Sequence, residues 1–263
     1  MKRLDVLMAP SEFENLQGCD LIGKVCVVFD VLRATSSMIT GLGSGVREFL
    51  PARTIGEALN LHAAHPGSLL AGEREGLRIG SELTGGRCFD LGNSPTEFLS
   101  GDLQGKSVVI TTTNGTRALR SCVGAREVLI ASFLNLSATS QYLIRTHPEE
   151  ILLVCSGTGE QTAYEDVLGA GALVNLLCKE WGFKILSDAA LMAQRLLLHE
   201  EMDLVTAFSK SSNGKRLSAH PQLQDDIAFC AQRDRFPMVA RMGEDGAIRI
   251  FPSEAFENGS LLF

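Results

Sequence analysis

The chain has 263 residues, of which 45% are hydrophobic and 21% are charged, with a mean hydropathy of +0.12. This is enough apolar material to bury a full core, so an intrinsically disordered or fibrous protein is excluded. Lys and Arg number 24 against 31 Asp and Glu, which gives a net charge of −7. Because the chain has no basic field, binding to nucleic acid or to an anionic membrane surface is disfavoured.

The apolar runs are too short to span a membrane. The longest, such as residues 25–29 and 151–155, fall far short of the ~20 residues that a bilayer requires. Asp5, Pro10 and Glu12 interrupt any apolar core of a signal peptide, so we expect a cytoplasmic protein. The cysteines are odd in number and form no CxxC pair, which predicts reduced thiols rather than a disulfide framework or a zinc site. They are Cys19, Cys26, Cys88, Cys122, Cys155, Cys178 and Cys230.

Short β-branched runs alternate with longer helical patterns along the chain, which is typical of an α/β protein with a mixed or largely parallel sheet. Strands are predicted over residues 25–31, 107–112, 127–131, 151–156 and 247–251. No repeat or Pro/Ser-rich linker divides the chain. We therefore expect a single domain over residues 1–263, with a division into two sub-lobes left open.

Capping signals predict where several helices begin. Thr54 with Glu57, and Ser94 with Glu97 around a proline, both have the spacing of a capping box. Apolar periodicity predicts two further helices over residues 165–181 and 187–199.

The first predicted strand runs directly into a group of polar side chains. Asp30 suits a hard cation, Arg33 can bind a phosphate with two parallel hydrogen bonds, and Thr35 and its neighbours can donate to an oxyanion. Ligands bind at such strand ends in open α/β sheets. The alternative is a surface Asp–Arg pair followed by an ordinary helix cap.

A second strand ends in residues 111–116, a run of three threonines followed by Asn114, Gly115 and Thr116. Clustered hydroxyl and amide donors at a strand-to-helix turn suit a phosphate or carboxylate. An ordinary Asn-Gly turn explains Asn114 and Gly115 equally well, because both residues tolerate a positive φ.

A third strand ends in Cys155 and the small residues after it, and the acidic pair Glu165–Asp166 then opens a helix. The loop matches neither a dinucleotide fingerprint nor a Walker loop. It also contains no arginine to stabilise a cysteine nucleophile, so a buried structural thiol is favoured for Cys155. The acidic pair either decorates the helix start or completes a metal site with Asp30.

Residues 70–92 form the longest stretch without clear periodicity, and long irregular segments in compact domains are often functional. Glu73 is a candidate metal ligand and Arg74 a candidate oxyanion ligand. Each is equally well explained as a solvated loop charge.

Taken together, these segments resemble one known family. The resemblance rests on residues 28–35, 72–74, 89–95, 111–116, 155–158 with Glu165 and Asp166, and 212–217. Their order and spacing are similar to those of the 2-phosphosulfolactate phosphatase (ComB) family over about residues 25–230. The resemblance implies a layered α/β/α fold with a mixed, largely parallel sheet. It also implies a Mg²⁺-dependent phosphomonoesterase that hydrolyses (2R)-2-phospho-3-sulfolactate to sulfolactate and phosphate, a step in coenzyme M biosynthesis.

The strand-end residues and the resemblance together give a candidate site for Mg²⁺ and a small anionic phosphorylated substrate. The expected metal ligands are Asp30, Glu73 and one of Glu165 or Asp166. The expected catalytic residues are Asp30, Arg33 and Asn114. The expected substrate-binding residues are Thr35, Arg74, Asn93, Ser94, Thr113, Thr116, Gly157 and Thr158.

The chain departs from the family pattern at two positions. Ser156 stands where the family has alanine, and Asn213 stands where we expect histidine, which puts the role of that histidine in doubt. Residues 76–87 also form a longer stretch than usual.

Two mechanisms remain open, attack by metal-bound water or formation of a phospho-aspartate on Asp30. Water is preferred because Leu32 occupies the position where a haloacid-dehalogenase-type site has its second aspartate. Two alternative functions remain: a phosphatase for a different 2-phospho hydroxy acid, and a non-catalytic binder of small phosphorylated or sulfonated acids. A homo-oligomer is also left open.

Overall fold

The computed structural model describes residues 3–16, 21–99, 101–181, 184–185 and 187–251. Within these residues the fold is built on an 11-stranded sheet, with helices packed on it. The sheet is mixed and mostly parallel, so the predicted α/β class and layered architecture are confirmed.

In chain order the strands are β1 (Arg3–Leu7), β2 (Val25–Phe29), β3 (Glu48–Pro51), β4 (Leu69–Arg74), β5 (Leu77–Arg78), β6 (Ser107–Thr111), β7 (Glu127–Ala131), β8 (Glu150–Cys155), β9 (Lys184–Ile185), β10 (Val239–Met242) and β11 (Ile248–Phe251). Their order across the sheet is β5-β4-β6-β3-β11-β10-β7-β2-β8-β1-β9. The antiparallel strands β10 and β11 join two parallel groups, one around β6 and one around β2.

The α-helices are α1 (Pro10–Glu14), α2 (Ala34–Gly43), α3 (Ile55–Ala64), α4 (Ser81–Thr84), α5 (Gly115–Ser121), α6 (Leu136–Thr146), α7 (Tyr164–Trp181), α8 (Asp188–Glu200), α9 (Leu204–Lys210), α10 (Ser212–Ser218) and α11 (Asp225–Cys230). Within the described ranges, no helix is long and apolar enough to cross a membrane.

Strand β2 shows how the sheet separates two core layers. All five of its residues are buried, as expected of a central parallel strand covered on both faces. Val25, Val27 and Phe29 pack into one hydrophobic cluster with α7, while Cys26 and Val28 face a second cluster that contains α2. The period of two along a strand produces this division. A smaller third cluster lies under α3 and includes Leu70 and Val109.

Most predicted elements are present with shifts of one or two residues. Each of the five predicted strands is found, and the predicted helices over 165–181 and 187–199 are α7 and α8. The Thr54 cap is confirmed, since its hydroxyl accepts a hydrogen bond from the Glu57 N–H at 3.0 Å. The α-helix predicted to begin at Ser94 was wrong, because Pro95–Leu99 is a 3₁₀-helix. The Ser94 hydroxyl caps no helix and donates instead to Asp226.

The prediction of an irregular segment over residues 70–92 was wrong at its start, where β4 pairs in parallel with β6. Gly72 concealed this strand, because glycine normally weakens a strand. A Cβ at this position would lie 2.1 Å from the carbonyl oxygen of Thr111, so the close pairing here requires glycine.

The described cysteines are unpaired, in agreement with the expected reduced thiols. They are Cys26, Cys88, Cys122, Cys155, Cys178 and Cys230. Cys19 lies outside the described residues.

Candidate active site

A polar pocket of about 420 Å³, including its open mouth, lies where the turns after β2, β6 and β8 meet. Four strands separate β6 from β2 in the sheet, yet Asn114 after β6 donates to the carbonyl oxygens of Ser156 and Gly159 after β8, at 2.9 and 2.8 Å. The pocket is lined by Asp30, Leu32, Arg33, Glu73, Gly76, Asn93, Thr113, Asn114, Gly157, Thr158, Gly159, Asn213, Arg216 and Leu217.

Asp30 lies at the carboxyl end of β2 and is only 8% exposed. Its Oδ1 accepts a hydrogen bond from the Ala34 N–H at 3.0 Å, which fixes the carboxylate against the first turn of α2. The pKa of Asp30 is raised to about 6, chiefly by burial and to a smaller extent by the negative charges of Glu73 and Glu165. The carboxylate is therefore held in a pocket that disfavours its ionised form unless a cation is present.

Gly115 is required beside this carboxylate. A Cβ on Gly115 would lie 2.5 Å from Asp30 Oδ2 and 2.7 Å from the Ala34 Cβ. The interpretation of Asn114–Gly115 as an ordinary positive-φ turn was wrong, because Asn114 has φ −116° and Gly115 begins α5. The glycine provides space next to Asp30 rather than an unusual backbone angle.

Glu73 lies at the end of β4, and the protein's own donors bind its carboxylate. Oε1 accepts from the N–H and the hydroxyl of Thr113, at 2.8 and 2.9 Å, and Oε2 accepts from the Gly76 N–H at 2.8 Å. The donors that the threonine run offers to an anion are thus used by a carboxylate of the chain itself. Glu73 still lines the pocket and has spare lone pairs.

Arg33 does not pair with Asp30, so the alternative of a surface Asp–Arg pair was wrong. Its guanidinium forms a 2.8 Å ion pair with Asp226, and the two side chains are 2% and 1% exposed. The guanidinium also donates to the Gly76 carbonyl oxygen at 2.5 Å, while Ser94 donates to the other oxygen of Asp226 at 2.6 Å. Arg33 thus lines the pocket, and the carboxylate of Asp226 behind it balances its charge.

The helix-cap alternative at Thr35 is also wrong in its detail. Arg33 is the N-cap residue of α2 and makes no side-chain cap hydrogen bond. The Thr35 hydroxyl instead exchanges hydrogen bonds with the backbone of Asp30, accepting from its N–H at 3.0 Å and donating to its carbonyl at 2.9 Å. Thr35 is fully buried, lies outside the pocket and fixes the backbone that carries Asp30.

Glu165 and Asp166 follow β8 at the start of α7, and their surroundings differ. Asp166 is enclosed: Oδ1 accepts from the Val31 N–H at 2.7 Å, and Oδ2 accepts from the Ser156 hydroxyl and the Gly157 N–H, both at 3.1 Å. Glu165 is 1% exposed, and its Oε2 has no hydrogen-bond partner among the described groups. Burial raises the pKa of both carboxyls.

Asn213 closes one wall of the pocket from α10. Its amide donates to Glu165 Oε1 at 2.5 Å and to the Thr158 hydroxyl at 2.7 Å, and its oxygen accepts from Arg216 at 2.6 Å. An asparagine that stands where the family pattern has histidine therefore still connects the third strand end to α10.

Of three further residues that were predicted to bind substrate, one lines the pocket and two do not. Asn93 lines the pocket, is 5% exposed, and its Oδ1 has no partner among the described atoms. Arg74 points away, donating to the Glu73 carbonyl and to the Thr111 hydroxyl at 2.6 and 3.1 Å. Thr116 is fully buried and donates to the Thr112 carbonyl oxygen at 3.0 Å.

Cys155 is fully buried below the third strand end. Burial raises the pKa of its thiol well above the usual value, and the negative charge of Asp166 acts in the same direction. Because the thiolate is the nucleophilic form, these surroundings disfavour covalent catalysis by Cys155.

The carboxylates around the pocket fit a divalent cation that keeps much of its water. After burial, the charge of Glu165 helps to raise the pKa of Asp30, and the charges of Asp30 and Glu165 help to raise that of Asp166. Glu165 Oε2 has no hydrogen-bond partner among the described groups. No three His, Cys, Asp or Glu side chains within the described ranges converge into a ready-made ligand cage. Mg²⁺ is commonly held by one or two carboxylates plus substrate and water, so such a cage is not required.

Sequence reasoning missed Asp226 and Arg216. Asp226 lies 193 residues from Arg33, so no local pattern joined them. Arg216 lay within a segment that carried the family resemblance, but that segment was noted only for its asparagine.

The fold is α/β, and its pocket brings together carboxylates and guanidinium groups. The comparisons with known proteins identify the class as the phosphoric monoester hydrolases. The family model described as 2-phosphosulpholactate phosphatase matches residues 12–245. The chain belongs to this family.

Curated relatives agree with the family assignment. A protein of Thermotoga petrophila is 38% identical over 90% of this chain and 93% of its own length. One of Pseudothermotoga lettingae is 38% identical over 95% of this chain and 100% of its own length. One of Carboxydothermus hydrogenoformans is 33% identical over 90% of this chain and 92% of its own length. Each is named "Probable 2-phosphosulfolactate phosphatase".

Proposed function

We propose that this chain hydrolyses 2-phosphosulfolactate to sulfolactate and inorganic phosphate in the cytoplasm, as a step of coenzyme M biosynthesis, and that it requires Mg²⁺. Family membership supports the reaction. The observation that carries the site assignment is the buried Asp30 carboxylate, which faces a polar pocket lined by Arg33 and Arg216.

The charge of the pocket supports a cation requirement. Asp30 and Glu73 line it, Glu165 lies behind Asn213, and Asp226 balances Arg33. A phosphoryl group with two negative charges would meet more negative than positive charge here, and like charges at close range repel strongly in a dry site. A divalent cation offsets this excess of negative charge.

Asp30 and Glu73 are the ligands we propose from the pocket wall, with Glu165 rather than Asp166 supplying negative charge from behind it. Both oxygens of Asp166 are taken by hydrogen bonds, whereas Glu165 Oε2 is unpartnered. When bound, Mg²⁺ supplies Lewis-acid stabilisation of phosphoryl oxygens and lowers the pKa of a bound water.

The remaining residues bind and orient the substrate. Arg33 has five N–H donors, of which two are used by Asp226 and Gly76, and the others are free for a phosphoryl oxygen. Asn93 offers an amide oxygen that lacks a partner, and because this oxygen is an acceptor it can face water or a cation but cannot donate to the phosphoryl group. Asn114 holds the turns after β6 and β8 together through its two carbonyl contacts, so its role is to fix the pocket wall.

Water is the nucleophile we propose. Leu32 lines the pocket two residues after Asp30, so the acid that protonates the leaving group in a phospho-aspartate mechanism of the dehalogenase type is missing at that position. Cys155 is buried with a raised pKa, which removes the other nucleophile near the site.

Phosphate release from 2-phosphosulfolactate tests this proposal. The purified protein is treated with EDTA, dialysed, and assayed with and without added Mg²⁺, with Asp30→Asn as the inactive control and Asp188→Asn, an exposed carboxylate, as the active one. We expect turnover only with Mg²⁺. Full activity after rigorous EDTA treatment would contradict the metal requirement, and no turnover in either condition would contradict the reaction.

A further inference from the structure

The pocket is lined by two guanidinium groups, and among the described residues only one of them forms an ion pair with a carboxylate. Arg33 is paired with the buried Asp226 at 2.8 Å. Arg216 contacts the neutral amide oxygen of Asn213, and no described carboxylate forms an ion pair with it. The charge of Arg216 acts on Glu165 without an ion pair, opposing the rise that burial causes in the pKa of that carboxyl, and the exposed guanidinium remains accessible to a ligand.

Asn213 fixes Arg216 although the arginine itself is exposed. The Asn213 amide nitrogen donates to two acceptors, Glu165 Oε1 and the Thr158 hydroxyl, so its oxygen has to face the other way. That oxygen receives the Arg216 N–H at 2.6 Å. Since Asn213 is 5% exposed, the contact anchors one edge of the guanidinium of an otherwise exposed residue and uses one of its five N–H donors.

The two guanidinium groups converge at Gly76. A Cβ at this glycine would lie 3.6 Å from Arg216 Nε and 4.0 Å from the nearer Arg33 nitrogen. Gly76 has φ +84°, so the turn strongly favours glycine here. Arg33, which is buried, and Arg216, which is exposed at the rim, are thus neighbours on one wall of the pocket.

We propose that Arg216 binds the sulfonate of the substrate, an inference that rests on the proposed function. In 2-phosphosulfolactate the phosphate and carboxylate share C2, whereas the sulfonate is carried on C3. The sulfonate sulfur is therefore one bond further from the phosphate ester oxygen than the carboxylate carbon is, so with the phosphoryl group placed at Asp30 it is the acid group with the longer reach toward Arg216. A sulfonate keeps its charge at any physiological pH, and a planar guanidinium can donate two parallel hydrogen bonds to it.

A matched pair of substrates tests this subsite. Kcat/KM is measured for 2-phosphosulfolactate and for 2-phospholactate, in which a methyl group replaces the sulfomethyl group, using the wild type and Arg216→Gln. Lys215→Gln is the control, because Lys215 is exposed on the same helix and does not line the pocket. We expect Arg216→Gln to lower kcat/KM for the sulfonated substrate roughly 10- to 100-fold, the range of one charge-assisted hydrogen bond.

For 2-phospholactate, kcat/KM should change by less than about 3-fold in Arg216→Gln, because without a sulfonate to bind Arg216 is an exposed charge of small effect. An equal loss on both substrates would overturn the proposal, because Arg216 would then act on the phosphate, on the carboxylate or on the fold. Unchanged kinetics on both substrates would overturn it as well. Asn213→Ala should reproduce part of the selective loss, since Asn213 positions Arg216.

Direct binding separates this inference from the reaction itself. Calorimetric titration of the product sulfolactate into the wild type and Arg216→Gln, with lactate as the unsulfonated comparison, requires no turnover. Selective loss of sulfolactate binding in the variant, with no hydrolysis by the wild type, would keep the subsite and reject the reaction. Equal sulfolactate binding by both proteins would reject the subsite whether or not phosphate is released.

Discussion

Asp30→Asn should abolish activity and yet stabilise the metal-free protein. Asp30 is 8% exposed, and its pKa is raised from 3.8 to about 6, chiefly by burial. In an unfolded chain the carboxyl ionises at its ordinary pKa, so ionisation favours unfolding between pH 4 and 6. The free energy of unfolding of the wild type therefore falls as pH rises through this window, and the fall due to Asp30 is complete above about pH 7.

The size of the effect follows from the shift. About two pKa units correspond to about 3 kcal/mol in the free energy of unfolding. Asparagine keeps an oxygen for the Ala34 N–H, but its amide nitrogen then needs an acceptor beside Gly115, which offsets part of the gain. We expect a net gain of about 1–3 kcal/mol at pH 8, or a rise in Tm of roughly 2–10 °C.

The assay is urea denaturation in EDTA at several pH values from 4.5 to 8. The stability difference between Asp30→Asn and wild type should grow with pH up to about 7 and then level off. Asp188→Asn, which removes an exposed carboxylate, should show no such trend. Added Mg²⁺ should stabilise only the wild type. A difference independent of pH, or a variant less stable than wild type at pH 8, would refute the assignment of Asp30 as a buried, poorly solvated carboxyl.

Three further variants test the site. Asp226→Ala should lower the free energy of unfolding by about 3–5 kcal/mol and reduce kcat, because it leaves the buried Arg33 unpaired; a loss under about 1 kcal/mol, typical of surface pairs, would contradict this. Cys155→Ala should retain most of kcat, whereas a drop of ~10³-fold would identify a covalent nucleophile. Gly115→Ala should inactivate the enzyme, since its methyl would displace the Asp30 carboxylate, and circular dichroism should show an unchanged fold; normal steady-state kinetics would disprove the close approach.

Local pattern predicted the strongest elements because their signals are contained within one segment. The β-branched run of β2 and the apolar periodicity of α7 each specify an element without reference to the rest of the chain. Strands β1, β3, β4, β5, β9 and β10 were missed, since none of them contains such a β-branched run. They are stabilised by neighbours that become adjacent only in the folded sheet.

The sequence by itself determined that polar residues follow three strand ends, and these include Asp30, Asn114 and Thr158. It also determined the family, because the order and spacing of several motifs are readable in one dimension. It did not determine which polar groups remain available to a ligand. Thr113, for example, reads as an anion donor but donates to Glu73.

Only the tertiary structure decided how the charges are distributed. Arg33 and Asp226 are 193 residues apart and form one buried pair, so Arg33 brings little net charge to the pocket. Arg216 and Glu165 are joined through Asn213 from different helices. Electrostatic and hydrogen-bond energies depend on distances of a few ångströms and on burial, and packing sets both quantities for residues that the sequence leaves far apart.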